Sequence, residues 1–172
     1  MPTSMTSAQA QAARRAVLQA AVDAAAACAG TDPATFFRTD REPHIRWQTR
    51  RAQALRLCAA CPVRAACAEL ALRDGDGREG VDDMVRGGLT GPELAADRER
   101  QAERLAVAVD TDRDTEGARL DALVLQLHRE ALAYPHRGVR APGRQAAVRA
   151  LADEIRRIRT ARRRRAGWEA AA

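Results

Sequence analysis

Cys58-Ala59-Ala60-Cys61-Pro62-Val63-Arg64-Ala65-Ala66-Cys67 carries three of the chain's four cysteines, and the fourth, Cys28, lies upstream. Two residues separate Cys58 from Cys61, five separate Cys61 from Cys67, and twenty-nine separate Cys28 from Cys58. Four thiols with none left over point to one four-coordinate site. The local pattern supports this. Cys58 to Cys61 reads as a tight turn between helices, Pro62 suits the first position of a new helix, and Cys67 falls in that helix's second turn. A turn and the helix it opens thus present three sulfurs to one point, and unpaired N–H groups near the helix start favour thiolates.

The rest of the composition explains why such a site matters. Of the 172 residues, 46% are hydrophobic but only 3% aromatic, because alanine supplies much of the apolar count. Alanine favours helix but buries little area. An almost wholly helical protein with a sparse core follows, one that a bound metal or cluster helps to hold together. No apolar run reaches membrane-span length, and residues 1–11 lack the order of a secretory signal. No membrane association and a cytoplasmic location are therefore expected, where clustered cysteines bind metal or do redox chemistry more often than they form disulfides.

Outward from the cysteines, residues 7–27 predict a helix capped by Thr6 or Ser7, with Val17, Leu18, Ala21, Val22 and Ala25 on its apolar face. Gly30 ends it and places Cys28 at its terminus. A second helix is predicted over Ile45 to Leu57, with Trp47, Ala54 and Leu55 on its inner side. The cysteine-bearing helix runs to about Arg73, and Asp74-Gly75-Asp76-Gly77 breaks it. Gly87-Gly88 reads as a tight turn, and Thr90 with Glu93 has capping-box spacing for a charged, mostly solvated helix to about Val109. Asp110 to Thr115 reads as an acidic linker. Leu120, Leu123, Val124, Leu127, Ala131 and Leu132 then mark a helix over 116–133. Tyr134 to Gly143 is a loop, and Val148, Leu151, Ile155 and Ile158 mark a last helix. Four segments result: an N-terminal helix over 1–25, a cysteine domain over 26–95, a charged helix and linker over 96–114, and a helical hairpin with an arginine-rich tail over 115–172. The loop is too long and proline-rich for the usual helix-turn-helix.

The net charge of +6 is uneven: from His136 onward the balance is +8, and the preceding 135 residues carry −2. Every basic residue is arginine. The run Arg156, Arg157, Arg159, Arg162, Arg163, Arg164 and Arg165 favours a polyanion, with DNA phosphate as the expected contact. His44, His128 and His136 are scattered without ligand spacing and read as surface residues.

For the cysteines, zinc is one candidate, since four thiolates form a closed structural site. The usual zinc pattern has two C-x2-C knuckles, however, and this chain has one. A cubane iron–sulfur cluster is wider and suits one tight pair, one ligand on the following helix and one distant ligand. The spacing favours the cluster and leaves zinc open. A thiol–disulfide oxidoreductase using Cys58 and Cys61 is a further alternative, without the βαβ pattern such enzymes surround their cysteines with.

Ala27-Cys28-Ala29-Gly30-Thr31-Asp32-Pro33 with Phe36-Phe37, the Cys-Pro-Val-Arg core of the cysteine array, and the Gly87-Gly88-Leu89-Thr90 turn together resemble the WhiB-like family of actinobacterial transcription factors, over about residues 26–95. The resemblance implies an all-α cluster-binding domain. Its four ligands to one [4Fe-4S] cluster, responsive to oxygen or nitric oxide, would be Cys28, Cys58, Cys61 and Cys67. It also implies docking on the C-terminal region of the primary sigma factor, with Phe36, Phe37, Arg86, Gly87 and Gly88 as candidate partner contacts. In a chain with so few aromatics, however, at least one of Phe36 and Phe37 reads as core covering the cluster. One position departs: the family turn reads Gly-Val/Ile-Trp-Gly-Gly, and this chain has Met84-Val85-Arg86-Gly87-Gly88. Losing the tryptophan forfeits contact area of about 1–3 kcal/mol. Arg86 is left to pair with a partner carboxylate or to point to DNA.

Overall fold

Capping boxes start the helices that open at Ser7 and Gly91, while those that open at Arg15, His44 and Arg64 begin without a side-chain cap. The structure is a computed structural model that describes residues 4–132 and 142–167. It is all-α apart from one two-residue hairpin. The chain divides after Asp112 into two compact units.

In the first unit, α1 (Ser7–Ala12) starts from a capping box in which Thr6 and Gln9 bond each other's backbone N–H. Instead of one helix over 7–27, the chain is extended at Ala13 and Arg14 before α2 (Arg15–Ala25) begins. The cause is tertiary. Arg14 donates to the Thr111 carbonyl, and the Arg15 N–H donates to Asp112 at 2.8 Å. Leu18 is buried as expected, but Val17 is 53% exposed.

A short 3-10 turn, Pro33–Phe36, is capped by Asp32 and leads to α3 (His44–Ala59). Helix α4 (Arg64–Asp74) ends on Gly75 in the left-handed region at φ 90°. Strands β1 (Val85–Arg86) and β2 (Leu89–Thr90) pair antiparallel, with Val85 opposite Thr90 and Arg86 opposite Leu89. The predicted capping box then starts α5 (Gly91–Arg100), with Glu93 accepting from the Thr90 N–H and hydroxyl at 2.8 Å.

Where one solvated helix to about Val109 was expected, the chain breaks at Gln101 and continues as α6 (Ala102–Arg113). Both pieces bury apolar residues, Leu94 and Leu105, against Ala71 and Leu72 of α4. The expected acidic linker over 110–115 is therefore largely the end of a helix.

Helix α4 is the hub. One face packs Val63, Ala66 and Leu70 against Leu18 and Ala10, and another meets Leu94 and Leu105. Trp47, Ala54 and Val85 form a third cluster beside Cys58. In the middle of α4, Glu69, only 4% exposed, accepts from Arg73 at 2.8 Å and from Arg104 at 2.8 and 3.0 Å. Arg73 also reaches Asp112 at 2.9 Å and the Gln11 carbonyl at 3.1 Å, tying α1, α4 and α6 together. Such buried ions hold only as a complete set, because each left alone carries an unpaired desolvation cost.

In the second unit, α7 (Thr115–Leu132) and α8 (Pro142–Arg165) pack against each other. Leu120, Leu123, Val124 and Leu127 of the predicted stripe are half-buried, but Ala131 and Leu132 are exposed, Leu132 to 78%. Pro142 and Gly143 belong to α8, and the remaining predicted loop, with His136, lies outside the described residues. Among the described residues no helix is long and apolar enough to cross a membrane.

Candidate metal centre

The four cysteines come from the end of α3, the link after it, the first turn of α4 and the turn after α2. Cys58 occupies the last turn of α3 rather than a turn between helices, and the Cys61 N–H bonds its carbonyl at 3.1 Å. Pro62 precedes the helix by two positions, since α4 opens at Arg64 after Val63. Cys67 accordingly sits in the first turn of α4, its N–H bonded to the Val63 carbonyl at 3.0 Å. Cys28 follows the end of α2 in a turn closed by a 2.9 Å bond from Thr31 N–H to the Cys28 carbonyl, and Gly30 takes φ 80° there. The two segments touch: the Ala27 N–H lies 3.5 Å from the Cys61 sulfur.

All four thiols are free and half-buried. Their surroundings show that they share one neighbourhood. Burial pushes the Cys58 thiol up, the Gly88 backbone opposes this by hydrogen-bonding the sulfur, and the nearby Cys67, Cys28 and Cys61 push it up further. Burial likewise raises the Cys67 thiol, against the positive charge of Arg86, hydrogen bonds from the Gly87 backbone and the Arg86 side chain, and with a further push from Cys28. Among the described residues, no three His, Cys, Asp or Glu side chains stand close enough together to hold a single metal ion.

The hairpin explains why two glycines stand beside this site. Gly87 and Gly88 have φ of 61° and 75°, the pair of left-handed residues that a type I′ turn requires. A Cβ on Gly87 would stand 2.4 Å from the backbone of Ala68. On Gly88 it would stand 3.0 Å from Arg64 Cδ and 3.4 Å from Cys58 Cβ. Only bare backbone lets the turn press on the first turn of α4 and offer both amides to sulfur. The turn expected as a partner contact is packed inward, with Gly87 buried.

Arg86 is also turned onto its own chain. Its guanidinium binds Asp76 and lies 3.1 Å from Asp74, with its side chain 28% exposed. Burial disfavours its charge, but the hydrogen bond and charge of Asp76, the charge of Asp74 and that of Cys67 outweigh it and hold its pKa above the ordinary value. Asp74 is bound in turn by Arg15. The Asp74-Gly75-Asp76-Gly77 stretch, which reads as a plain breaker, therefore supplies the counter-ions of the site. The alternation of acid with glycine was the available signal, but nothing local says which arginine the acids meet.

Phe36 packs with Trp47, while Phe37 is 44% exposed and bridges Met84 through backbone. Trp47 is fully buried, with the Arg50 guanidinium 5.7 Å from its ring centroid.

The family described as Transcription factor WhiB matches residues 23–103. This stretch is a WhiB-family domain. No curated protein and no solved structure matches the chain. The WhiB-family match takes in all four cysteines, the hairpin and α5, and ends just inside α6. The matched family is one of transcription factors, and α7 and α8 lie outside the matched region.

In that extension the arginine run is sorted by the helix. Val148, Leu151, Ile155 and Ile158 recur at spacings of three and four, and Arg162 and Arg165 continue the same seam. Arg162 donates to both Asp114 oxygens at 3.0 and 2.7 Å, and Arg165 pairs with Glu116, at the start of α7. Arg156, Arg157, Arg159, Arg163 and Arg164 are exposed on the remaining face. His44 and His128 are exposed as well, with His44 bonded to Gln48 at 2.8 Å.

Proposed function

We propose that Cys28, Cys58, Cys61 and Cys67 hold one [4Fe-4S] cluster and that the protein regulates transcription through it, in the cytoplasm. The observation that carries this reading is the shared neighbourhood of four free thiols under the Gly87 and Gly88 backbone, inside a WhiB-family match. The donor set fits the group: four soft sulfur ligands, with N–H donors that stabilise sulfur-borne negative charge. When bound, the cluster supplies electron-transfer chemistry and reactivity toward oxygen or nitric oxide. The chain's own part is to bring Cys28 to the other three, to bond their sulfurs and to limit water with Trp47, Phe36 and Val85. Burial raises Cys58 and Cys67, which is opposite to what an exchanging thiol needs and weighs against a thiol–disulfide oxidoreductase.

The output runs to the transcription machinery. The primary sigma factor's C-terminal region is the proposed protein partner, with exposed Phe37 available to it, while Arg86, Gly87 and Gly88 hold the hairpin onto the site. The proposed DNA contact is to phosphate, through the outward arginines of α8, and adds affinity that depends on salt and not on sequence.

The test is metal analysis of anaerobically purified protein. Four iron and four acid-labile sulfides per chain, with broad absorbance near about 400 nm, are expected. One zinc and no sulfide would leave a zinc-stabilised binding module instead. Pull-down with the sigma region, with and without the cluster, tests the partner separately.

A further inference from the structure

We propose that Arg86, anchored by Asp74 and Asp76, is an electrostatic positioning residue for the Cys67 sulfur that makes the bound cluster easier to reduce. The inference rests on the cluster reading above and adds to it a residue that regulates the same site.

The geometry has three parts. First, the Arg86 backbone is held in place: it pairs with Leu89 in the hairpin, and the next residue, Gly87, presses on Ala68, the neighbour of Cys67 in α4. Second, the guanidinium is held at its far end by Asp76 and by Asp74 at 3.1 Å. Those anchors are themselves fixed. The Asp76 N–H bonds the Ala71 carbonyl at 3.0 Å, its carbonyl accepts from Arg98 at 2.5 Å, and Asp74 is held by Arg15. Third, the same guanidinium lies near enough to the Cys67 sulfur for its positive charge to favour the thiolate, and the Cys67 charge in turn favours the guanidinium. A row of alternating charge, Arg15, Asp74, Arg86, Asp76, thus borders the site, and its cation lies beside a ligand sulfur.

The consequence follows from Coulomb's law. Adding an electron to a group held by four thiolates increases negative charge at the sulfurs, and a fixed cation beside one of them favours the reduced form. Removing that cation does more than delete an attraction, because Asp74 and Asp76 are then left beside the site without their counter-ion. A tryptophan at this position contributes neither charge.

The experiment is a redox titration of the anaerobic, cluster-containing full-length chain and its Arg86→Gln, Arg86→Lys, Asp76→Asn and Arg86→Gln/Asp76→Asn variants, with iron and sulfide measured in each. Arg86→Gln is expected to lower the reduced-to-oxidised ratio at a given potential about tenfold, a shift of about 59 mV toward the negative for one electron. Arg86→Lys keeps the charge and stays within about threefold of the parent. Asp76→Asn shifts the potential the opposite way, and the double variant returns toward the parent. A merely structural role moves cluster content but not these opposed signs. Unchanged potential in Arg86→Gln or Asp76→Asn protein that retains its sulfide overturns the inference alone, as does a shift of both in one direction. If Arg86→Gln does not assemble, Arg86→Lys and Asp76→Asn carry the same two signs. A parent chain without acid-labile sulfide overturns the cluster reading and this inference together.

Discussion

The two units use the same residue, arginine, in opposite ways. In the unit ending at Asp112, Arg73, Arg86, Arg98 and Arg104 are turned inward, onto Glu69, Asp112, Asp76 and the carbonyls of Ala71 and Leu72. They knit short helices whose apolar clusters are small. In the hairpin unit Arg162 and Arg165 meet carboxylates across the seam, and the arginines around them face water. What differs is the surroundings: buried carboxylates and helix-end carbonyls draw a guanidinium inward, and their scarcity on α8 leaves it out. An arginine's neighbours, and not its place in a charge run, decide whether it is structure or surface.

The sharpest way to break this contrast is at the cysteines. Cys58→Ala is expected to abolish iron binding and most helical order in the first unit, because site and fold are coupled. The α7–α8 helices keep theirs. Iron content with circular dichroism checks it, and unchanged total helicity would count against the coupling.

Next in size is the buried charge. Glu69→Ala leaves Arg73 and Arg104 without their shared partner and should cost about 3–5 kcal/mol in denaturant unfolding. Gly87→Ala follows, at about 1–3 kcal/mol, because the residue holds φ 61° and its Cβ meets the Ala68 backbone. The iron content of that variant should fall with its stability. A Gly87→Ala protein as stable as the parent would show that the turn does not press on α4.

The smallest effect sharpens the other side. Replacing Arg156, Arg159 and Arg163 with Gln should reduce the slope of log affinity for duplex DNA against log salt by about 3, at about 0.9 per phosphate contact. Arg162→Gln/Arg165→Gln should loosen the hairpin slightly and leave most of that slope. Equal loss of slope in both variants would mean that the seam arginines are not committed to Asp114 and Glu116.

Much of the fold was legible because its signals are local. The Thr90–Glu93 capping box, the paired glycines, the α3 face carrying Trp47 and Ala54, and the α8 stripe all depend on residues a few positions apart. The failures share one cause. The break at Ala13 and Arg14 answers to Thr111 and Asp112, nearly a hundred residues away. The burial of Leu94 and Leu105 answers to α4. Val17 and Leu132 carry apolar side chains at helical spacing but remain largely exposed. At the site, the four cysteines were visible from their spacing, and the acids that hold Arg86 were not.

By itself, the sequence determined the all-helical character, the set of four cysteines with their surrounding Cys-Pro-Val-Arg and Gly-Gly motifs, and the concentration of positive charge at one end. These follow from propensity, from spacing along one chain segment and from simple charge, none of which needs a partner in space. Only the tertiary structure decided which charges neutralise each other. It turned Arg86 onto Asp74 and Asp76 beside Cys67, and it separated Arg162 and Arg165 from the arginines around them. The physical reason is that an ion pair is chosen by distance through the fold and by burial, and a linear sequence specifies neither.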